Sequence, residues 1–240
     1  MTKTVKKETA KLSTRKEFLL NENISFNVTE AFRNLKASLS VSLPKKQSGE
    51  GVVLMMTSPC PADGKTTVTV NLATMFAMSN AKVILIDADV RKGRVARYFK
   101  TKSTPGLVDY LSGGVTLEEV KKTTDSGLSY ITCGTRSPRP YELLESEEMK
   151  KLINTLKAEY DYVIIDTPPI LVVSDAVALA SEVDGTVLVC RYQKSFVADI
   201  VKTLNTLNFA KANVLGTVIN DYSAKKKKSG SDYKNYEYYE

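Results

Sequence analysis

Residues 52–77 read VVLMMTSPCPADGKTTVTVNLATMFA, and this stretch constrains the fold more than any other. A short apolar run of strand character meets a tight loop, then the tetrad Gly64-Lys65-Thr66-Thr67, then a helical pattern from about 66 to 79. Such a unit binds phosphate for simple physical reasons. Backbone N–H groups converge at a helix N-terminus, a lysine reaches the β- and γ-phosphates of a nucleotide, and a hydroxyl is placed for Mg²⁺. Gly64, Lys65 and Thr66 supply the last glycine, the lysine and the hydroxyl at the required spacing, and Asp63 and Thr67 flank them as further nucleotide-binding candidates. Pro59 stands where the first glycine of such a loop is usual.

Short apolar runs alternate with helical patterns along the rest of the chain. KVILID, LSYIT, YVIID, GTVLVC and NVLGTVIN read as strands, and residues 146–159 and 195–209 as helices. Strands that are apolar almost throughout are expected where helices cover both sheet faces, so the pattern predicts one doubly wound α/β domain with a mainly parallel sheet. Upstream, Val28, Phe32, Leu35 and Leu39 recur at helical spacing and predict an amphipathic helix over 27–43, ended by Pro44 and a polar linker. The expected organisation is a flexible basic N-terminus (1–26), a nucleotide-binding domain (27–221) and a disordered Lys/Tyr-rich tail (222–240).

Two further motifs sit at strand ends, where open α/β sheets hold their ligands. ILIDADVRKGR brings Asp87 and Asp89 to the carboxyl end of one apolar strand, and YDYVIIDTPP brings Asp166 to the end of another. Each acid alone could be a loop cap. Three of them beside a phosphate loop point to a Mg²⁺–nucleotide site. Asn220, closing the last strand, is either a contact to the base edge or an ordinary turn former.

Composition removes several chemistries. The chain has no histidine, which rules out Ser-His-Asp and Cys-His catalysis and any histidine-ligated metal. Cys60, Cys133 and Cys190 are scattered, suggesting neither a disulfide framework nor a zinc site and fitting a reduced cytoplasm. No apolar run approaches a spanning helix, and the N-terminus lacks the apolar segment of a signal peptide. The net charge of +7 divides into +4 in residues 1–20, +2 in 222–240 and about +1 in everything between. The basic ends suit solvation, an anionic membrane face or an acidic partner, whereas the near-neutral middle gives no footprint for nucleic acid.

SPCPADGKTT, ILIDADVRKGR and VIIDTPP, followed by the terminal YKNYEYYE, resemble the bacterial tyrosine kinases (BY-kinases) in the order of that family. The resemblance runs from about residue 27 to the end, and is strongest to the separate cytoplasmic catalytic subunits of capsule and exopolysaccharide systems. It implies a P-loop NTPase of MinD/ParA ancestry acting as an ATP- and Mg²⁺-dependent tyrosine autokinase. By that resemblance Lys65 would bind the β/γ-phosphates, and Thr66 and Asp166 would hold Mg²⁺, Asp166 through water. Asp87 would be the base or positioning group for the incoming tyrosine hydroxyl and Asp89 would support the metal, a division of labour that the sequence leaves open. EAFRNLK resembles the family's Glu-x-x-Arg-x-x-Arg element, so Glu30, Arg33 and Lys36 would pack one subunit against the next in a homo-oligomeric ring, with Lys36 in place of the usual Arg.

The same resemblance makes Tyr233, Tyr236, Tyr238 and Tyr239 the phosphoacceptors, offered in trans. The 17 residues from Tyr222 to Tyr239 span roughly 56–61 Å extended and about 21–25 Å as a coil, enough to reach a neighbouring subunit. It also implies a membrane-anchored activating adaptor of the polysaccharide co-polymerase type, a cognate phosphotyrosine phosphatase, other protein substrates, and a cytoplasmic location at the inner membrane face. Two rivals are a MinD/ParA-like ATPase switch and a catalytically silent scaffold. Against the first stand Cys60 in place of a signature lysine, a C-terminus without an apolar helical face, and the near-neutral middle.

Overall fold

A strand apolar on both faces is stable only when both faces are covered. The computed structural model, which describes residues 19–20, 24–44 and 49–222, has that arrangement. In chain order it contains α1 (Phe26–Ser42), β1 (Val52–Thr57), α2 (Lys65–Ala77), β2 (Val83–Asp87), α3 (Val95–Tyr98), α4 (Leu107–Leu111), α5 (Leu117–Val120), β3 (Lys121–Thr123) and β4 (Ser129–Ile131). There follow α6 (Pro140–Glu145), α7 (Glu147–Glu159), β5 (Tyr162–Asp166), α8 (Asp175–Leu179), β6 (Gly185–Arg191), α9 (Val197–Phe209) and β7 (Val214–Asn220). The strands form one seven-stranded sheet in the order β3-β4-β2-β5-β1-β6-β7. Every neighbouring pair is parallel except β3 and β4.

The period-2 alternation of the strands divides the core in two. Val53, Met55, Ile84, Ile86, Val163 and Ile165 face one side, with Leu107 and Leu111 of α4 and Met149, Leu152, Ile153 and Leu156 of α7. Leu54, Met56, Val83, Leu85 and Ile164 face the other, beneath Leu39 of α1 and Val68, Leu72 and Phe76 of α2. Helix α7 starts because Ser146 accepts a hydrogen bond from the Met149 N–H, and its buried residues at i, i+3, i+4 and i+7 seat it on the sheet. Among the described residues no helix is long and apolar enough to cross a membrane.

Some expectations change in detail. Phe32, Leu35 and Leu39 turn toward the core as predicted, but Val28, in the first turn of α1, is exposed and takes no part in that cluster. β7 is only partly buried: it is an edge strand with β6 alone beside it, so its apolar residues are half covered. Residues 19 and 20, within the stretch read as a flexible N-terminus, lie against α2, where the Leu20 N–H donates to Asn71 Oδ1 at 2.6 Å. Most of 1–26 and all of 223–240 lie outside the described residues.

Parallel strands present their carboxyl ends to the same side. The chain moves from β1 across β5 to β2 on one flank, and β6 lies on the other flank of β1. The order therefore reverses at β1, and the crevice beyond its carboxyl end is where such sheets take ligands.

Candidate nucleotide site

The chain leaves β1 into that crevice through residues 58–64. Ser58 Oγ donates to the Cys60 carbonyl at 3.0 Å, and the Cys60 N–H donates to Asp63 Oδ2 at 3.0 Å. Left-handed backbone falls at Ala62 (φ 69°) and Gly64 (φ 87°), so position 59 has no need of a glycine. Pro59 takes part through its carbonyl, which accepts the Leu171 N–H at 3.3 Å. Gly64 is required for two reasons. Its φ disfavours any L side chain, and a Cβ there would stand 1.9 Å from Asn220 Nδ2.

Asp63, read from the sequence as a nucleotide-binding residue, is a builder of this loop. Its Oδ2 accepts the Cys60 N–H and its Oδ1 accepts from Ser195 Oγ at 3.0 Å. Asn220 also faces the loop, where its Nδ2 donates to the Asp63 carbonyl at 2.9 Å. Of the two readings of Asn220, a base contact or a turn, neither describes that bond. Thr67 shares a 2.5 Å hydrogen bond with the Tyr98 hydroxyl.

Asp166 gathers the other predicted residues. Its Oδ1 accepts from Lys65 Nζ at 2.6 Å and Thr69 Oγ1 at 3.0 Å, and its Oδ2 accepts from Thr66 Oγ1 at 2.8 Å. Lys65 and Asp166 are 6% and 0% exposed, so each charge depends on the other for compensation. Asp87 pairs in register with Asp166 on the neighbouring strand. It is fully buried, its Oδ2 accepts the Val95 N–H at 2.9 Å, and its Oδ1 has no partner. Burial, and next the negative charge of Asp166, push the Asp87 carboxyl up to about 8, against the Val95 N–H and Lys65. Gly93 lets the following loop close over it, since a Cβ there would meet Cys133 Sγ at 2.3 Å and Asp87 Oδ2 at 2.8 Å.

Asp89 is half-buried, with Oδ1 accepting the Lys92 N–H at 3.0 Å; burial raises its carboxyl above the usual range. Two residues on, Arg91 makes a bidentate pair with the fully buried Asp175, at 2.5 and 3.0 Å, which pins the loop after β2 to the start of α8. Among the described residues no three acids or cysteines close into a metal cage. A pair of register-matched carboxylates with one unpartnered oxygen, beside the Thr66 hydroxyl, nonetheless suits a hard divalent cation that shares its coordination with phosphate and water.

Sequence reasoning missed Thr69, Arg91 and Ser195. Thr69 was visible in outline, four residues after Lys65 and so on the same helical face. Ser195 approaches only through the fold. On α1, Glu30 and Arg33 form an ion pair with one another. Lys36 turns back, its Nζ 5.8 Å from the centre of the Phe76 ring, so these three residues do not form one outward row. Tyr233, Tyr236, Tyr238 and Tyr239 lie outside the described residues.

A family model described as an AAA domain matches residues 62–215. Tyrosine-protein kinase YwqD of Bacillus subtilis is 37% identical over 207 residues, 86% of this chain and 86% of that protein. Tyrosine-protein kinase Etk of Escherichia coli is 34% identical over 204 residues, 85% of this chain and 28% of that one. Its kinase domain superposes with a TM-score of 0.78 at 32% identity, covering 89% of this chain and 88% of the domain. The chain spans 26–31% of the length of the first curated relatives it matches. The septum-site-determining protein MinD of Pyrococcus horikoshii, complexed with Mg-ADP, shares the fold at 24% identity and a TM-score of 0.63, over 73% of this chain and 72% of that one.

Proposed function

This chain belongs to the bacterial tyrosine-protein kinases and contains an AAA domain, and from that premise we propose that it is an ATP- and Mg²⁺-dependent protein-tyrosine autokinase. The observation that carries the proposal is the convergence of Lys65, Thr66 and Thr69 on Asp166, one strand away from Asp87 with its unpartnered Oδ1.

Each residue has a role that follows from its chemistry. Lys65 waits on Asp166 until the phosphates of ATP compete for its ammonium. Gly64 and the first N–H groups of α2 present the positive end of the helix to those phosphates. Thr66 and Asp166 hold Mg²⁺, with Asp89 supporting it. When bound, the cation neutralises charge on the transferred phosphoryl group. Asp87 is the base or positioning group for the incoming tyrosine hydroxyl, which its buried Oδ1 can meet only once the loop over it opens. A phenol has a pKa of about 10, so positioning and charge neutralisation do more here than proton removal.

The acceptors are Tyr233, Tyr236, Tyr238 and Tyr239, phosphorylated by a neighbouring subunit. Family membership supports a role in capsular or extracellular polysaccharide assembly, at the inner face of the membrane. It also supports a membrane-anchored adaptor of the co-polymerase type, a cognate phosphatase and a ring of like subunits. The test follows phosphotyrosine formation and ATP hydrolysis together in wild type and Lys65→Met, with the cytosolic segment of an adaptor present. The proposal expects phosphotyrosine in wild type alone. Hydrolysis without phosphotyrosine would place the chain with the MinD-like switches.

A further inference from the structure

The carboxyl ends of β6 and β7 lie side by side, with Arg191 paired in register to Asn220, and both strand ends turn onto the phosphate loop. Arg191 reaches it twice. Its Nη1 donates to the Ala62 carbonyl at 3.1 Å, and its own N–H donates at 2.7 Å to Ser195 Oγ, which in turn donates to Asp63 Oδ1 at 3.0 Å. Asn220 adds the bond to the Asp63 carbonyl, and Gly64 lies so close that a Cβ would strike the Asn220 amide. Ala62 is a non-glycine residue in left-handed backbone, a conformation that persists only when its surroundings enforce it.

The guanidinium is itself aimed from one place. Nε and Nη2 both donate to Asp221 Oδ2, at 2.9 and 2.7 Å. Asp221 is the first residue after β7 and also has left-handed backbone (φ 59°). The next residue, Tyr222, sets its ring edge-on to Tyr192 with centroids 4.9 Å apart. Eighteen further residues follow Tyr222, including the tyrosine cluster.

We propose that Arg191 is a positioning residue for the phosphate loop, and that Asp221, by aiming its guanidinium, makes nucleotide affinity depend on how the chain leaves β7. The inference rests on reading residues 58–66 as the phosphate-binding loop. Only a planar fork can serve here, with one nitrogen on a loop carbonyl and two on a carboxylate. The point charge of a lysine cannot hold both partners. Without Asp221 the guanidinium turns to solvent, and Ala62 loses a contact that holds it in an unfavoured conformation. The root of the tyrosine-bearing segment is thereby a handle on the nucleotide site.

The test titrates the full chain with a Mg²⁺-bound fluorescent ADP analogue. Asp221→Ala and Arg191→Lys are expected to weaken binding by about 5- to 10-fold, the scale of one well-placed hydrogen bond. Asp221→Glu, which keeps the carboxylate, is expected to recover most of the loss. The melting temperature of nucleotide-free Asp221→Ala should fall by only about 2–4 °C, the cost of an alanine in left-handed backbone, because the exposed pair itself contributes little to stability. Unchanged affinity in Asp221→Ala, or a lowered melting temperature with affinity retained, would overturn the proposal. Tight nucleotide binding without phosphotyrosine would instead overturn the kinase reading and leave the clamp standing. A wild-type chain that bound no Mg-ADP would overturn both.

Discussion

Asp87 is a carboxylate with no exposed surface and one unpartnered oxygen, which costs stability while it is charged. Its carboxyl is raised from an ordinary 3.8 to about 8, so across that window the folded chain holds a proton that the unfolded chain releases. Stability therefore falls as pH rises from about 4 to about 8. Asp87→Asn removes that slope. With EDTA present and nucleotide absent, its melting temperature should exceed that of wild type by a margin that grows through this window and levels off above about 8. Each 1 kcal/mol gained appears as about 2–4 °C in a chain of this size. A margin that shrank with rising pH, measured by calorimetry, would contradict the account. At this scale Lys65, Thr66, Asp87 and Asp166 were legible because each sits in a motif whose spacing has a chemical reason. Arg191 and Ser195 were not, because the phosphate-loop residues they hold, Ala62 and Asp63, are more than a hundred residues away in sequence.

The junction of the phosphate loop with α2 is the most constrained point among the elements. Gly64→Ala places a methyl group on Asn220 and forces left-handed backbone on a residue that resists it, two costs that add. We expect a loss of more than about 1 kcal/mol, seen as a lower denaturation midpoint with the slope unchanged, together with weakened ADP binding. A variant as stable as wild type would show that the loop yields more easily than its packing indicates. The long elements were legible for a physical reason: β1, β2 and β5 are apolar on both faces because both are covered, and α7 keeps its buried stripe at helical spacing. Helices α3, α4, α5, α6 and α8 have four to six residues, too short to show a period, and only tertiary packing fixes them. The antiparallel strand β3 was unreadable likewise, with three residues reading KKT.

The proposed assembly and its control are properties of the whole molecule. Glu30 and Arg33 form an ion pair within α1, so a ring interface that uses them competes with that pair for their hydrogen bonds. Glu30→Ala with Arg33→Ala should lower the mass seen by light scattering without lowering the melting temperature, since Arg33 is exposed. An unchanged mass would remove α1 from the interface. Residues 222–240 carry +2 from side chains, and four phosphates at about −1.5 to −2 each would bring them to roughly −4 to −6. This reversal is expected to expel the tail from the acceptor site and loosen the ring, and a fully phosphorylated chain of undiminished mass would contradict it. The most direct test of the central claim mixes two chains in Mg-ATP with the adaptor segment: Lys65→Met with its tyrosines intact, and a chain with an intact site whose Tyr233, Tyr236, Tyr238 and Tyr239 are replaced by Phe. Mass-spectrometric mapping should find phosphate on those four tyrosines of the Lys65→Met chain, and on none of them when that chain is incubated alone. Phosphate that appears without the active partner, or ATP hydrolysed with no phosphotyrosine on either chain, would contradict an autokinase acting between subunits.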